Sequence, residues 1–249
     1  MQFGYCNISV IPLRKESDDR SEIISQLLFG ETCKILNIKD NWFYIQCTHD
    51  AYEGWVDGKQ ITTTEKLLSV NFSSLELAHN MVFQQHHIPI LIGSNLPDFD
   101  GLNFTINKQK YLFQGLTLEN SIHNFDKVKK IALKYLHAPY LWGGRSPFGI
   151  DCSGFTQIVF KFFNEFLPRD AYQQAEKGIA IGFVEESREG DLAFFGNEEK
   201  ITHVGIIINT NEVIHASGKV RIDKLDHLGI FNRETGEYTH KLRVIKRII

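Results

Sequence analysis

The sequence predicts an α+β protein, and three observations predict it. Residues 1 to about 65 are short strand-like runs separated by turns. From Phe125 onward helical spacing takes over, with an apolar stripe directly after Asp151-Cys152. From Ile201 the chain returns to β-branched, strand-like runs.

With 249 residues and 43% hydrophobic content, the chain has room for one large domain or two to three small ones. The 27 Lys and Arg nearly balance the 30 Asp and Glu. The longest basic cluster is Lys127, Lys129 and Lys130, which is no phosphate-tracking stripe, so nucleic acid is excluded as a partner. Met1-Gln2-Phe3-Gly4-Tyr5-Cys6 lacks a basic n-region leading into an apolar stretch, and no run reaches the roughly 18 apolar residues of a membrane span. The expectation is a cytoplasmic protein with no membrane segment. Cys6, Cys33, Cys47 and Cys152 follow neither a C-x-x-C pattern nor the density of a secreted scaffold, which fits a reducing compartment. The first three are expected as small core residues.

Taken in order, residues 6–10, 33–38, 42–47 and 54–56 read as strands of a small β-barrel covering 1–65. Residues 66–122 are assigned as a second, degenerate barrel. Within it a short helix is expected over 74–83, with strands over 88–92 and 111–114 around the turn-rich 93–101. Residues 123–249 form the third domain: a helix over 126–136, a Gly/Pro loop over 138–149, a helix over 152–166, and then an antiparallel sheet.

The chemistry concentrates in that third domain. Gly149-Ile150-Asp151-Cys152-Ser153-Gly154 precedes Phe155, Ile158, Val159, Phe162, Phe163 and Phe166, which fall on one helical face. Asp151 is a natural N-cap. Cys152 then occupies the first turn, where free N–H groups and the helix dipole favour a thiolate, so it is the candidate nucleophile. The plainer alternative is a structural cysteine at a helix start.

Residues 201–208 read as a strand and 212–216 as its hairpin mate. A three-residue turn of Asn209, Thr210 and Asn211 sets His215 opposite Gly205 and His203 opposite Ser217. Both imidazoles then share one face, within roughly 8 Å. An even-numbered turn would separate them. On one face, His203 can take the thiol proton while His215 holds its tautomer. A lone strand histidine is ordinarily just hydrogen-bonded or exposed, and the other eight keep that reading. A zinc site from Cys152, His203 and His215 would lack a fourth ligand and any paired-cysteine knuckle, so no metal and no cofactor is expected.

Two resemblances follow from these motifs. Glu31-Thr32-Cys33-Lys34-Ile35-Leu36, Asn41-Trp42-Phe43-Tyr44-Ile45 and Glu53-Gly54-Trp55-Val56 resemble a bacterial SH3-like domain. Pro139-Tyr140-Leu141-Trp142-Gly143-Gly144, Ser146-Pro147-Phe148-Gly149-Ile150-Asp151-Cys152-Ser153-Gly154-Phe155, Gly190-Asp191-Leu192 and His203-Val204-Gly205-Ile206 together resemble the NlpC-type cell-wall peptidases. The second resemblance implies a papain-like cysteine peptidase domain that cleaves after γ-D-glutamate in peptidoglycan stem peptides. Its catalytic set falls on Cys152, His203 and His215.

A subgroup with N-terminal SH3-like domains is more similar still. Its members cut L-Ala-γ-D-Glu from the following diamino acid, lysine or diaminopimelate, only when the alanine amine is free. The resemblance implies that Glu53 and Asp170 clamp this amine, that Tyr140 and Trp142 line the pocket, and that Asp151 and Ser153 contact the γ-D-Glu. The implied partners are murein-derived peptides, met in murein recycling. The family commonly has Ser after the clamp aspartate, and this sequence has Ala171.

Plainer readings stand beside these: Glu53 as a solvated loop acid, Asp170 as the N-cap of a helix over 171–176, Trp142 as core packing. Two rival functions also remain. A wall-binding protein with an incidental C-terminal domain predicts a secretion signal. An amidase or acyltransferase on the same scaffold keeps Cys152 and His203 but has no use for Glu53 and Asp170.

Overall fold

The computed structural model describes residues 2–249, without the side chains of 122–124, and divides into two compact units. Unit 1 is Met1–Asn120 with Trp142–Pro147, and unit 2 is Ser121–Leu141 with Phe148–Ile249.

Unit 1 begins with a seven-stranded antiparallel sheet in the order Ile23–Leu28, Val10–Arg14, Glu53–Asp57, Trp42–Cys47, Thr32–Lys39, Gln2–Cys6 and Ile61–Thr64. The strand expected over 6–10 is instead a break between two strands, with the Cys6 thiol donating to Ile8 O at 3.0 Å. Alternating side chains supply one apolar core from Cys6, Ile11, Leu13, Leu27, Cys33, Ile45, Cys47, Val56 and Ile61. Cys33 lies directly opposite Cys47 in the register, and burial pushes the Cys33 thiol up to about 12. These are small core residues, as the sequence suggested.

The helix expected over 74–83 does not form. Val70–Ser74 and Ala78–Phe83 are strands, and the second pairs with His86–Leu91 through a two-residue turn at Gln84 and Gln85. Gln84 takes the left-handed conformation, φ 55°, that hairpin turns usually fill with Gly or Asn, so the usual signal is missing. Two small sheets result, four-stranded and three-stranded. Met81, Ile90, Leu96, Phe104, Tyr111 and Phe113 share a core with Tyr5 of the first sheet and with Phe29, just past the strand Ile23–Leu28.

The segment Trp142–Pro147 completes unit 1. Its Arg145 is 1% exposed and engaged through its two terminal nitrogens: Nη1 and Nη2 grip Glu31 at 2.7 and 3.1 Å, and Nη1 also donates to Gln26 O at 2.6 Å. This bidentate pairing offsets the cost of removing both charges from water. Gly143, at φ 77°, passes so close to Ile23 that a Cβ would stand 2.2 Å from its carbonyl oxygen.

Unit 2 carries three short helices, α1 (Val128–Lys134), α2 (Cys152–Lys161) and α3 (Ala171–Gln174). Helix α1 is preceded by a 3-10 turn over Ile122–Lys127, so the helix expected over 126–136 is shorter and tighter at its start. Helix α2 also ends before residue 166. Asn164 turns left-handed at φ 60° and Glu165 N donates to Phe160 O at 3.2 Å, a helix-stop geometry that leaves Phe166 48% exposed. The rest of the apolar stripe, Phe155, Ile158, Val159, Phe162 and Phe163, is fully buried as expected.

The antiparallel sheet of unit 2 runs Glu237–Arg247, Leu192–Gly196, Ile201–Asn209, Glu212–Ser217, Lys219–Leu225 and Gly229–Asn232. Glu237–Arg247 pairs with both ends of that order, closing six strands into a barrel, and Ile179–Ile181 adds on beside it. Ala193, Phe195, Ile207, Val213, Leu225, Ile230 and Ile245 belong to its core. No helix among the described residues is long and apolar enough to cross a membrane.

Candidate active site

Asp151 caps α2 from extended backbone, accepting from Gly154 N at 2.7 Å, and this cap places Cys152 at the first helical position. The Asp151 carboxylate is buried and would be costly alone. Arg169 compensates it with Nη2 on Oδ2 at 2.5 Å and Nη1 on Oδ1 at 3.0 Å, and Nη1 also donates to Ser153 Oγ at 2.8 Å. Asp151, Cys152 and Ser153 are therefore fixed as one rigid corner. Helix α2 packs on the strand Ile201–Asn209, and the Cys152 thiol reaches the backbone of Val204.

The resting state of this thiol differs from the sequence expectation. Burial, followed by the charge of Asp151, pushes Cys152 up to about 12, with the Val204 backbone, Arg169 and the Ser153 backbone opposing. Desolvation outweighs the helix start, so the unreacted side chain is a thiol. Tyr140 senses the same environment: burial first, then the charges of Cys152 and Asp151, push its phenol to about 12.

On the barrel, His215 lies opposite Gly205 as expected, but the turn is different. Asn209 pairs with Glu212 across the two residues Thr210 and Asn211, and a bulge between Ile207 and Asn209 supplies the extra residue. The bulge restores the odd count, and both imidazoles face the same way. His203 Nε2 and His215 Nδ1 are 2.9 Å apart, with the rings nearly perpendicular at 86°. Burial, then His215 and His240, hold His203 well below the ordinary histidine range, and burial lowers His215 despite the opposing Asp223. Both rings are neutral at pH 7. Their nitrogens bond each other instead of converging on a shared point, and no metal-holding group of three His, Cys, Asp or Glu is found among the described residues.

The other named residues divide between the units. Asp170 caps α3, with its N–H donating to Gln173 Oε1 at 3.3 Å, and Ala171 is the first, buried residue of that helix. Gln174 ties α3 to α2 by donating to Ser153 O at 3.1 Å. Glu53 and Trp142 belong to unit 1. Glu53 sits on a strand, not in a loop; it is exposed and accepts from Tyr44 Oη at 3.0 Å and Gln46 Nε2 at 2.9 Å. Trp142 is 61% exposed, which removes the core-packing reading, and its Nε1 donates to Glu22 at 2.7 Å.

Three side chains escaped the sequence reading. Asp223 accepts from His215 Nε2 at 3.2 Å, Arg221 supports Asp223, and His240 stacks on His203 at 4.2 Å between centroids. An acid alternating with Leu225 on a buried strand face was the available signal for Asp223. His240 lies on a strand paired across the barrel closure, which no local pattern reports.

A thiol at a capped helix start, packed against a barrel strand that carries a neutral, hydrogen-bonded imidazole, can perform acyl transfer. Comparison with known proteins agrees with that chemistry. The model of the NlpC/P60 family matches residues 137–237, and that of the bacterial dipeptidyl-peptidase SH3 domain matches 13–61. The protein is a cysteine peptidase. More narrowly, it carries an NlpC/P60 domain over residues 137–237 and a bacterial SH3 domain over 13–61.

Among its relatives, a γ-D-glutamyl-L-lysine dipeptidyl-peptidase of Bacillus cereus is 25% identical over 79% of this chain and 68% of its own length. Dipeptidyl-peptidase 6 of Lysinibacillus sphaericus is 24% identical over 86% of this chain and 88% of its own. The crystal structure of an NlpC/P60 family protein from Bacillus cereus superposes with a TM-score of 0.83 at 20% identity, covering 99% of both chains, which shows a shared fold.

Proposed function

We propose that the enzyme hydrolyses the bond between γ-D-Glu and an L-diamino acid in peptidoglycan stem peptides that begin with a free L-Ala, releasing L-Ala-γ-D-Glu in cytoplasmic murein-peptide recycling. The observation that carries the chemistry is the 2.9 Å bond from His203 to His215 on the strand packed against the Cys152 helix. The names of the two dipeptidyl-peptidase relatives support the substrate class.

In this reading Cys152 Sγ attacks the γ-carbonyl carbon as its proton passes to His203. The C–N bond breaks, His203 returns the proton to the leaving amine, and water hydrolyses the thioester by the reverse use of the same base. Because thiol and imidazole both rest neutral, proton transfer accompanies attack. Backbone N–H groups at the start of α2 are assigned to the oxyanion. Asp151, Ser153 and Tyr140 are assigned to the γ-D-Glu, and Trp142 to the pocket lining. Selection of the free ammonium is assigned to carboxylates, with Glu53 and Asp170 as the candidates.

The test is incubation with L-Ala-γ-D-Glu-L-Lys and its diaminopimelate analogue, each free or N-acetylated, with products read by mass. Cleavage of the free peptides alone is expected. Equal cleavage of the acetylated forms sinks the amine selection, and undiminished cleavage by Cys152→Ala sinks the peptidase mechanism.

A further inference from the structure

A hydrogen bond between two histidines has no built-in direction. Either ring can donate, and only one choice leaves His203 able to act as a base. With its proton on Nε2, donated to His215, His203 offers an unprotonated Nδ1. With the direction reversed, Nδ1 carries the proton and cannot accept another. Something beyond the pair must fix the direction.

We infer that Asp223 is the positioning residue that sets this direction, acting through His215 on the tautomer of His203. The inference rests on the peptidase reading of Cys152 and His203. Four donors surround the Asp223 carboxylate. Oδ2 accepts from Arg221 Nε at 2.7 Å and from His215 Nε2 at 3.2 Å. Oδ1 accepts from Arg221 Nη2 at 3.2 Å and from the backbone N–H of Arg233 at 3.0 Å. The Arg221 and Arg233 groups can only donate, so the carboxyl is held ionised, as an acceptor, and it is 1% exposed. Burial alone would raise it, but the bonds from His215, Arg221 and Arg233 keep it well below the usual carboxylate range.

The proton order follows. An ionised Asp223 requires the His215 proton on Nε2. The neutral His215 ring then has a bare Nδ1, which accepts from His203 Nε2, and His203 Nδ1 is left to take the thiol proton. The chain Arg221, Asp223, His215, His203 therefore has one polarity. Arg221 also bonds Asn232 at 2.8 Å and Glu234 at 3.1 Å, so its position does not depend on Asp223 alone.

The sharpest variant is Asp223→Asn. Its oxygen is expected to stay with the two donors Arg233 N and Arg221 Nη2, turning the amide NH2 toward His215. His215 Nε2 then accepts, Nδ1 becomes the donor, and the His203 proton is moved to Nδ1. Asp223→Ala removes the carboxylate without imposing the reverse order.

The test is nitrogen-15 NMR of imidazole-labelled protein at pH 7.5, which needs no substrate, together with kinetics on L-Ala-γ-D-Glu-L-Lys. Wild type is expected to carry the proton on Nε2 of both His203 and His215, and Asp223→Asn on Nδ1 of both. The kcat of Asp223→Asn should fall about 100-fold or more with KM unchanged, and fall further than that of Asp223→Ala. A merely structural carboxylate predicts the opposite ranking, since the isosteric amide packs better than a cavity. Wild-type His203 protonated on Nδ1, or Ala more damaging than Asn in kcat, overturns the inference, and the wild-type spectrum decides even if Asp223→Asn does not fold. Absence of peptide cleavage by wild type overturns the proposed function instead, and leaves the tautomer measurement to judge Asp223.

Discussion

Arg169 holds Asp151 through both terminal nitrogens, at 2.5 and 3.0 Å, and this ion pair is what makes the buried cap of the nucleophile helix affordable. Removing the arginine takes two charge-assisted hydrogen bonds from a carboxylate in an interior site. Arg169→Ala is expected to cost about 3 to 5 kcal/mol of stability in urea unfolding. Arg169→Lys, which cannot span both oxygens, should lose part of that and lower activity. A loss under 1 kcal/mol for Arg169→Ala would show that Asp151 is stabilised by other groups.

The same logic applies in unit 1 to Arg145 and Glu31, 1% and 2% exposed in their side chains. Arg145→Ala should destabilise the chain by about 3 kcal/mol or more, whereas replacing both partners together, Arg145→Met with Glu31→Leu, should recover much of the loss. Additive losses in the double variant would argue against coupling between them.

The histidines around the base give the protein an acid limit. Burial lowers His240 to about 4, and His203 and His215 are lowered as well. The unfolded chain binds protons at these positions near pH 6.5, before the folded chain does, so folding stability is full above that value and falls as pH drops toward 4. His240→Phe keeps a ring on His203 but cannot titrate. Its Tm should decline less between pH 6.5 and 4 than that of wild type, and parallel declines would place the acid sensitivity elsewhere.

Much of the site was legible because its signals are local. The helix cap Asp151, the first-turn Cys152 and the stripe from Phe155 to Phe163 follow from spacing along one segment. What the sequence hid depends on partners far along the chain. Closure of the barrel by the strand Glu237–Arg247 brings His240 onto His203, and strand pairing turns Asp223 toward His215. The thiol state was misjudged for a related reason: the helix start is visible in sequence, but the burial that outweighs it is a property of packing. In unit 1, the unusual Gln84-Gln85 turn hid a hairpin inside what reads as a helix.

Reactivity of the nucleophile tests that reversal. A thiol pushed to about 12 has almost no thiolate at pH 7, and its thiolate fraction rises about tenfold per pH unit. Iodoacetamide alkylation of Cys152, followed by mass in the native enzyme, should climb steadily from pH 6 to 9.5. A plateau below pH 8 would mean that a thiolate–imidazolium pair already exists in the resting enzyme.

The hairpin between the two histidines offers a test by register. Ile208 is the residue that the bulge adds between Ile207 and Asn209, so Gly205 lies opposite His215 despite the two-residue turn. Deleting Ile208 makes the pairing regular, with every other partner unchanged, and leaves His203 and His215 on one face, so peptide cleavage should survive. Deleting Val204 instead sets His203 directly beside Gly205 and sends it to the face opposite His215. Circular dichroism of that deletion should stay strand-rich while peptide cleavage falls to the level of Cys152→Ala. Full activity in the Val204 deletion would show that the two imidazoles do not need a common face.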